Sequence, residues 1–443
     1  MKTALEIYKE KLKTPFEALD LIKDNDHIIA SQAAAEPVEI MSAIQHLKKT
    51  GVKGCKLTTT LPFGKYPCFS DKELKGIVEH NPWFLSAELR KAYLNKMCSP
   101  IPQNSTTFIK NILSRCKAEG RRPVLITTVS PMDKHGFMSL SLSAMYEMDL
   151  AKSGALIIVE ENKNFPRTFG DTQLHVSEVD AIVISSNPIP TVSQKEPSEI
   201  DKIIGKSIAD LIDDGSTIQI GIGNIPNAVA YELRSKKHLG IHTEMFTEAM
   251  VDLIECGAVD NSMKGFYDGY SVCSFTFGSQ KLYDFIDDNP SILFKSCRMT
   301  NEPYFISKNR KFVSINTAME IDLLGQVASE TVNGIPWSGT GGQLDTVRGA
   351  QLSEDGKSFI AMHSTYPVIE NGREKIKSKI VPSFEKNQVV STGRNDVDFI
   401  VTEYGVARLK GLSIGERANA LIDIAHPDFR EELKRRANEL MIW

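Results

Sequence analysis

The sequence predicts an α/β protein built from two tandem open halves with mostly parallel sheets. Two observations support this fold class: short runs rich in Ile and Val alternate with segments of helical period, and two distant segments share one pattern. Short apolar runs flanked by helices are typical of strands buried on both faces of a parallel sheet. The clearest runs are residues 28–29, 124–126, 156–159, 181–184 and 217–220.

The shared pattern occurs in segments 24–51 and 213–240, which align without a gap. Each has an acidic turn, a β run, small residues, a proline, an amphipathic helix and a closing glycine. Proline suits the first turn of a helix and glycine the position after its end. We therefore predict that Gly51 and Gly240 each close a helix, although any two βα units could share this pattern.

The junction between the two halves is predicted near residues 188–200, a polar stretch that contains prolines and follows the last β run of the first half. Such stretches are typical of connections between folded segments. A helix is predicted to begin around Ser198. The two predicted domains are thus residues 1–192 and 193–443.

The charge balance argues against nucleic-acid binding. The 443 residues include 52 basic and 56 acidic side chains, and the formal net charge is −4. A general nucleic-acid binder normally carries a basic excess. The apolar runs are far shorter than the ~20 residues that a membrane-spanning helix needs, and the N-terminus lacks the apolar core of a signal peptide. We expect a soluble, cytoplasmic protein without a membrane partner.

The cysteines and histidines do not predict a metal site. The cysteine count of seven is odd, and the spacing includes no CxxC pair, which is typical of reduced thiols in the cytosol. The nine histidines are scattered, without an HExxH or HxH motif. We therefore expect no bound metal.

The segment Gly221-Ile222-Gly223-Asn224-Ile225-Pro226 is the first candidate for ligand binding. It follows a β run and precedes a predicted helix. Glycines let a backbone approach a ligand closely, and a helix N-terminus offers free N–H groups to an anion. The segment is neither a GxGxxG fingerprint nor a P-loop, and an ordinary tight βα turn is the alternative.

A second glycine-rich segment runs from Gly339 to Asp345, with Gly341 and Gly342 at its centre. Its glycines suit positive φ angles and exposed backbone amides, which can hold an oxyanion or a phosphate. A flexible surface loop is the alternative, but Trp337 just before it favours an ordered loop.

Glu244 is the candidate for covalent chemistry. Its segment follows Gly240 and predicts a strand with Glu244 at the carboxyl end, where open α/β sheets bind ligands. A carboxylate there can act as a base or a nucleophile, whereas most glutamates are solvated surface charges. His242, two residues earlier, is expected to be a packed histidine.

These segments together resemble the acetyl-CoA hydrolase/transferase family, especially its 4-hydroxybutyrate and butyrate CoA-transferases. The resemblance runs along nearly the whole chain. Its motifs are the residues 33–37 (AAAEP), 130–136 (SPMDKHG), 221–226 (GIGNIP), 242–245 (HTEM), 341–345 (GGQLD), 391–398 (STGRNDVD), 402–405 (TEYG) and 425–430 (AHPDFR).

The resemblance implies two open CoA-transferase domains, a homodimer, and coenzyme A as part of an acyl-CoA substrate. It implies that Glu244 is the nucleophile and that Gly221, Ile222, Gly223, Asn224 and Ile225 bind CoA. It further implies that Asn316, Gly341 and Gly342 hold the thioester carbonyl. The expected reaction transfers CoA between a short-chain acyl-CoA (4-hydroxybutyryl-, butyryl- or acetyl-CoA) and a carboxylate such as acetate.

Two positions depart from the family pattern. Thr346 stands where many similar sequences have an aromatic residue, and Gln32-Ala33-Ala34 stands where a glycine-containing version is common. Both could reshape the acyl pocket. Three alternatives to the transferase remain at this point: an acyl-CoA hydrolase of the same family, a sugar-phosphate enzyme on a similar scaffold, and a non-catalytic CoA-binding protein.

Overall fold

The computed structural model describes residues 2–193, 196–370 and 372–442. Gln194 and Lys195, which belong to the predicted junction, lie outside the described residues. The helices in chain order are α1 (Ala4–Lys11), α2 (Pro15–Leu19), α3 (Val38–Ala43), α4 (Leu47–Thr50), α5 (Ala87–Leu94), α6 (Phe108–Glu119), α7 (Glu147–Lys152), α8 (Glu199–Ala209), α9 (Asn224–Glu232), α10 (Glu248–Glu255), α11 (Gln280–Ile286), α12 (Cys297–Thr300), α13 (Pro303–Ile306), α14 (Gln343–Leu352), α15 (Ile414–Asp423) and α16 (Pro427–Glu439).

The strands of the first half of the chain are β1 (His27–Ala30), β2 (Cys55–Thr58), β3 (Val78–His80), β4 (Pro123–Val129), β5 (Phe137–Ser139), β6 (Leu156–Asn162), β7 (Phe169–Gly170), β8 (Gln173–His175) and β9 (Ala181–Ser185). The strands that follow are β10 (Thr217–Ile220), β11 (Gly240–Ile241), β12 (Met245–Phe246), β13 (Ser271–Cys273), β14 (Phe275–Thr276), β15 (Ile292–Phe294), β16 (Phe312–Thr317), β17 (Glu320–Asp322), β18 (Val327–Ala328), β19 (Thr331–Val332), β20 (Ile335–Pro336), β21 (Lys357–Ala361), β22 (Thr365–Glu370), β23 (Arg373–Ser378), β24 (Ile380–Val381), β25 (Phe399–Thr402) and β26 (Gly405–Arg408).

The chain forms two compact units, and both are discontinuous in sequence. The first contains the described residues of Met1–Ser193, Glu244–Phe246 and Val272–Thr300. The second contains the described residues of Gln194–Thr243, Thr247–Ser271 and Asn301–Trp443. The sequence-based division into two α/β domains, 1–192 and 193–443, stays a prediction.

A six-stranded parallel sheet forms the centre of the first unit, in the order β3-β2-β1-β4-β6-β9. Its central strands are buried along their length, since β1 and most of β4 are inaccessible to solvent on both faces. The run 181–184 forms β9 at the sheet edge, and Ile184 there is exposed. An edge strand has a neighbour on one side only, so full burial does not follow from an apolar run.

The second unit also contains a six-stranded sheet, in the order β11-β10-β16-β21-β25-β26. All of its strands are parallel except β26, which runs antiparallel to β25. The predicted fold class, α/β with mostly parallel sheets, is therefore confirmed. The helix predicted near Ser198 is α8, and Ser198 caps it through a capping box with Asp201.

The two aligned segments both fold as a strand followed by a helix, but they end differently. Gly51 closes the first helical segment with a φ of 83°, as expected for a helix-ending glycine. The prediction for Gly240 is wrong: the second helical segment ends at Ser235, and Gly240 begins β11. A Cβ at Gly240 would lie 2.2 Å from Cγ of Lys264, so close packing requires glycine there.

Glu36, in the AAAEP motif of the first unit, gives a prediction about stability. Its carboxylate accepts hydrogen bonds from N of Gly64 at 2.8 Å and N of Phe63 at 3.2 Å, and the residue is 3% exposed. Burial raises its pKa from 4.5 to about 7, and the negative charge of Glu160 acts in the same direction. The unfolded state therefore loses this proton at a lower pH than the folded state does.

We expect the contribution of Glu36 to the free energy of unfolding to fall as pH rises from 4.5 to about 7 and then to level off. A shift of this size corresponds to about 3 kcal/mol. Glu36→Gln keeps the shape but removes the titration, so the stability of the wild type relative to this variant should fall over the same pH range. Urea titrations at several pH values measure the effect, with the exposed Glu73→Gln as the control. Equal pH dependence in wild type and Glu36→Gln would contradict this assignment.

Candidate active site

The loop Gly221–Ile225 lies at the carboxyl end of β10 and leads into α9. Gly221 N donates to the carbonyl oxygen of Ile315 at 3.1 Å, which fixes the loop against the neighbouring strand β16. Gly223 caps α9 with φ 124° and ψ −176°. Ile222, Gly223 and Asn224 are exposed, whereas Ile225 is buried. The loop thus presents the amide end of a nine-residue helix to solvent, as an anion-binding loop requires.

Gly223 adopts a backbone conformation that residues with a Cβ rarely adopt. We expect Gly223→Ala to distort the loop at a cost of about 1–3 kcal/mol and, because the family resemblance implies that this loop binds CoA, to raise the KM for acyl-CoA by about tenfold. Steady-state kinetics measure this change. Gly257 also has a positive φ, of 80°, with open space around it, so Gly257→Ala is the matched control. An equal rise in KM in both variants would contradict a binding role for the loop.

Asn316 lies near the carboxyl end of β16, beside β10 in the sheet. It is partly exposed. Its Nδ2 lies 2.9 Å from Oγ of Ser314 and 3.1 Å from Oγ1 of Thr346. These contacts hold the amide in one plane at the carboxyl edge of the sheet.

The glycine-rich segment forms the N-terminal end of α14. Gly341 is buried and has a φ of 60°, and Gly342 is the N-cap of this ten-residue helix. Gln343 anchors the segment, because its Nε2 donates to Thr317 O at 3.0 Å and its Oε1 accepts from Oγ of Ser329 at 3.0 Å. The segment is an ordered helix start with a positive-φ glycine, and its role in binding an oxyanion stays a prediction.

The second unit brings three of the predicted site segments together at the carboxyl edge of its sheet. Gly221 contacts Ile315, the residue before Asn316, through a backbone hydrogen bond. Asn316 in turn contacts Thr346, whose N donates to the carbonyl oxygen of Gly342 at 3.0 Å. Hydrogen bonds therefore connect the β10 loop, the end of β16 and the start of α14.

The second unit contains a cavity of about 290 Å³. One of its lining residues is Ala318, which follows Asn316 by two positions in the sequence. Its apolar wall includes Met319, Val332, Trp337 and Tyr366, and Glu320 is one of its polar lining residues. Burial, together with the negative charges of Glu385 and Asp322, raises the pKa of Glu320 to about 7. The cavity therefore offers both apolar and polar surfaces to a bound group.

Glu244 lies in the first unit, three residues after β11 and directly before β12. It is half-buried. Its carbonyl oxygen accepts hydrogen bonds from Ser274 N at 2.9 Å and Phe275 N at 3.1 Å. Since β12 also pairs in parallel with β14, the backbone at Glu244 is held against the segment 274–276.

The predicted strand through His242 and Glu244 is interrupted. β11 ends at Ile241, and the chain bends at Glu244 before β12 begins. His242 is fully buried, with its ring 6.3 Å from that of Phe266 and 6.2 Å from that of Phe312. The expectation of a packed histidine is therefore confirmed.

The sequence analysis missed the polar side chains that support Asn316. Ser314 and Gln219 lie on neighbouring strands, and Ser314 Oγ is 3.2 Å from Gln219 Oε1. Polar residues inside two otherwise apolar β runs were the available signal. The support of Glu244 by Ser274 and Phe275 had no sequence signal, because these residues follow it by about thirty positions and belong to no recognised motif.

Two features are absent from the described residues. Among these residues, no cluster of three or more His, Cys, Asp or Glu side chains could hold a metal ion. No helix within the described ranges is both long and apolar enough to cross a membrane. All seven cysteines are free thiols.

Comparison with known proteins defines the class. Residues 2–193 match the acetyl-CoA hydrolase/transferase N-terminal domain, and residues 278–437 match the C-terminal domain of the same family. The fold and these matches define an enzyme of the CoA-transferase type. The chain belongs to the acetyl-CoA hydrolase/transferase family.

Relatives of known function match along nearly the whole chain. A 4-hydroxybutyrate coenzyme A transferase from Clostridium kluyveri is 40% identical over 430 residues, which is 97% of each chain. A succinyl-CoA:cyclohexane-1-carboxylate CoA transferase from Geobacter metallireducens is 37% identical and covers 98% of this chain and 96% of its own. The crystal structure of RipA from Yersinia pestis is 34% identical over the full length of both chains, with a TM-score of 0.91.

Proposed function

We propose that this enzyme transfers CoA from a short-chain acyl-CoA to a free carboxylate by a ping-pong reaction through a thioester on Glu244. The observation that carries the proposal is the meeting of three loops in the second unit: the amide end of α9, the Asn316 amide and the glycine-led start of α14. An acyl-CoA substrate carries phosphate charges and a thioester carbonyl, and both need hydrogen-bond donors such as these amides. The substrates of the 4-hydroxybutyrate and butyrate relatives support a short acyl chain.

The chemistry begins with the Glu244 carboxylate, which attacks the carbonyl carbon of the acyl-CoA. The carbon–sulfur bond breaks, the CoA thiolate leaves, and an acyl-glutamyl anhydride forms. The thiolate then attacks the glutamyl carbonyl carbon, which releases the first acid and leaves Glu244 as a CoA thioester. An incoming carboxylate reverses these steps and leaves with CoA.

Each tetrahedral intermediate carries an oxyanion that needs hydrogen-bond donors. Asn316 and the backbone amides of Gly341 and Gly342 are the proposed donors, and each donor contributes about 3 kcal/mol in comparable sites. The loop Gly221–Ile225 is proposed to bind the CoA portion. The cavity lined by Met319, Trp337 and Tyr366 also has polar lining residues, such as Gln388, and suits a chain with both methylene and amide groups, such as the pantetheine arm.

Initial rates with butyryl-CoA or 4-hydroxybutyryl-CoA as donor and acetate as acceptor test the reaction type. We expect parallel double-reciprocal lines when both substrates are varied, because the first acid leaves before the second binds. Intersecting lines would contradict the ping-pong scheme. Release of free CoA at the same rate with and without acetate would favour the acyl-CoA hydrolase, which is the other activity in the family name.

The proposal includes a homodimer in the cytoplasm. The family resemblance supports the dimer, and the seven free thiols fit a reducing compartment. Light scattering coupled to size-exclusion chromatography would measure the mass of the assembly. A monomer with full transferase activity would contradict the dimeric part of the proposal.

A further inference from the structure

A buried polar network lies directly behind Asn316 in the second unit. Its members are Gln219, Ser314 and Thr346, whose exposed fractions are 5%, 0% and 3%. Ser314 Oγ lies 2.9 Å from Thr346 Oγ1 and 3.2 Å from Gln219 Oε1. Both hydroxyls contact the same nitrogen of Asn316, at 2.9 Å and 3.1 Å.

The direction in which the hydroxyl protons of this network are donated determines whether the Asn316 amide can donate a hydrogen bond to a ligand. Thr346 Oγ1 lies 3.1 Å from the carbonyl oxygen of Gln343 and can donate its one proton there. In that arrangement, both Nδ2 hydrogens of Asn316 go to the two hydroxyls, and only Oδ1 remains for a ligand. An amide arranged in this way cannot donate to a thioester carbonyl.

The same contacts also support the opposite arrangement. Serine and threonine hydroxyls rotate, so both can donate to Oδ1 of Asn316 once the amide turns by 180°. Gln219, turned likewise, can donate to Ser314. In this arrangement the carbonyl oxygen of Gln343, in the first turn of α14, loses the hydrogen bond from Thr346 Oγ1. That bond is additional to the backbone hydrogen bonds of the helix. Both Nδ2 hydrogens then face the accessible side of Asn316.

We infer that Thr346 is a positioning residue whose hydroxyl, together with that of Ser314, turns the Asn316 amide so that Nδ2 donates to the thioester carbonyl. The inference rests on the proposed function, in which Asn316 contacts that carbonyl. A side chain without a hydroxyl at position 346 leaves Ser314 as the one of these two hydroxyls that still contacts the Asn316 amide. The orientation of Asn316 is then weakly determined.

Thr346→Val, which keeps the shape and removes the hydroxyl, tests the inference, with Thr346→Ser as the variant that restores it. We expect Thr346→Val to lower kcat by about tenfold and to change the KM for butyryl-CoA by less than about twofold. Thr346→Ser should have nearly the wild-type kcat. In an Asn316→Ala background, Thr346→Val should cause almost no further loss, because the two residues act through one contact.

Two outcomes would overturn the inference: an equal loss of kcat in both backgrounds, or equal impairment of Thr346→Val and Thr346→Ser. Thermal melting identifies a variant that fails to fold, and Ser314→Ala in the same two backgrounds then replaces Thr346→Val. The glutamyl-CoA adduct should still form, more slowly, in Thr346→Val. Absence of this adduct in the wild type would instead refute the proposed function.

Discussion

Glu244→Ala is expected to lower transferase kcat by about 10⁴-fold or more while the protein remains folded. The side chain is the proposed nucleophile, and in the proposed scheme it carries the CoA thioester between the two half-reactions. Glu244 is half-buried, and its backbone is held by hydrogen bonds from Ser274 and Phe275. Loss of the carboxylate should therefore abolish the transfer reaction, whereas the backbone hydrogen bonds at position 244 remain.

Steady-state rates of CoA transfer from butyryl-CoA to acetate measure this effect. Glu255→Ala removes an exposed glutamate of α10 and should leave kcat within about twofold of the wild-type value, as surface substitutions normally do. Glu244→Gln should resemble Glu244→Ala, since an amide is a poor nucleophile. Retention of more than about a tenth of wild-type kcat in both Glu244 variants would contradict the assignment.

Asn316→Ala is expected to have the second largest effect and to lower kcat by about 10²–10³-fold. The Asn316 amide lies at the carboxyl edge of the second unit's sheet, between the start of α14 and the β10 loop. It is proposed to stabilise the oxyanion more strongly than the ground-state carbonyl. The KM for acyl-CoA should therefore change much less than kcat does.

Asn419→Ala is a suitable control, because Asn419 is exposed on α15. The control should have wild-type kcat and KM. A rise in KM at unchanged kcat in Asn316→Ala would contradict the oxyanion role and would indicate a residue that only binds substrate. An Asn316→Ala protein with a much lower melting temperature would need comparison with Asn316→Ser, which has a similar polar character.

The sequence was sufficient for five strands of the two large sheets and for the two glycine-rich loops. Apolar runs identified β1, β4, β6, β9 and β10, because strands covered on both faces of a parallel sheet are mainly apolar. Glycine placement identified the loop before α9 and the start of α14, since both need conformations or close approaches that other residues do not allow. The family motifs then assigned roles that no local pattern could assign.

Other features depend on contacts between distant parts of the chain and had no local signal. The segment 272–300 belongs to the first unit, although it lies within the second half of the sequence. Gly240 resembled a helix-ending glycine, yet it begins a strand because Lys264 packs against it. Thr346 differed visibly from the family pattern, but its contact with Asn316 required the structure.

The most direct test of the central claim is the intact mass of the enzyme after mixing with butyryl-CoA, followed by borohydride. We predict an increase in mass equal to one bound CoA, which borohydride converts to an alcohol that peptide mapping places at Glu244. Glu244→Ala should show neither product. An absence of any adduct in the wild type with acetyl-, butyryl- and 4-hydroxybutyryl-CoA, together with full activity of Glu244→Ala, would contradict a glutamyl-CoA mechanism.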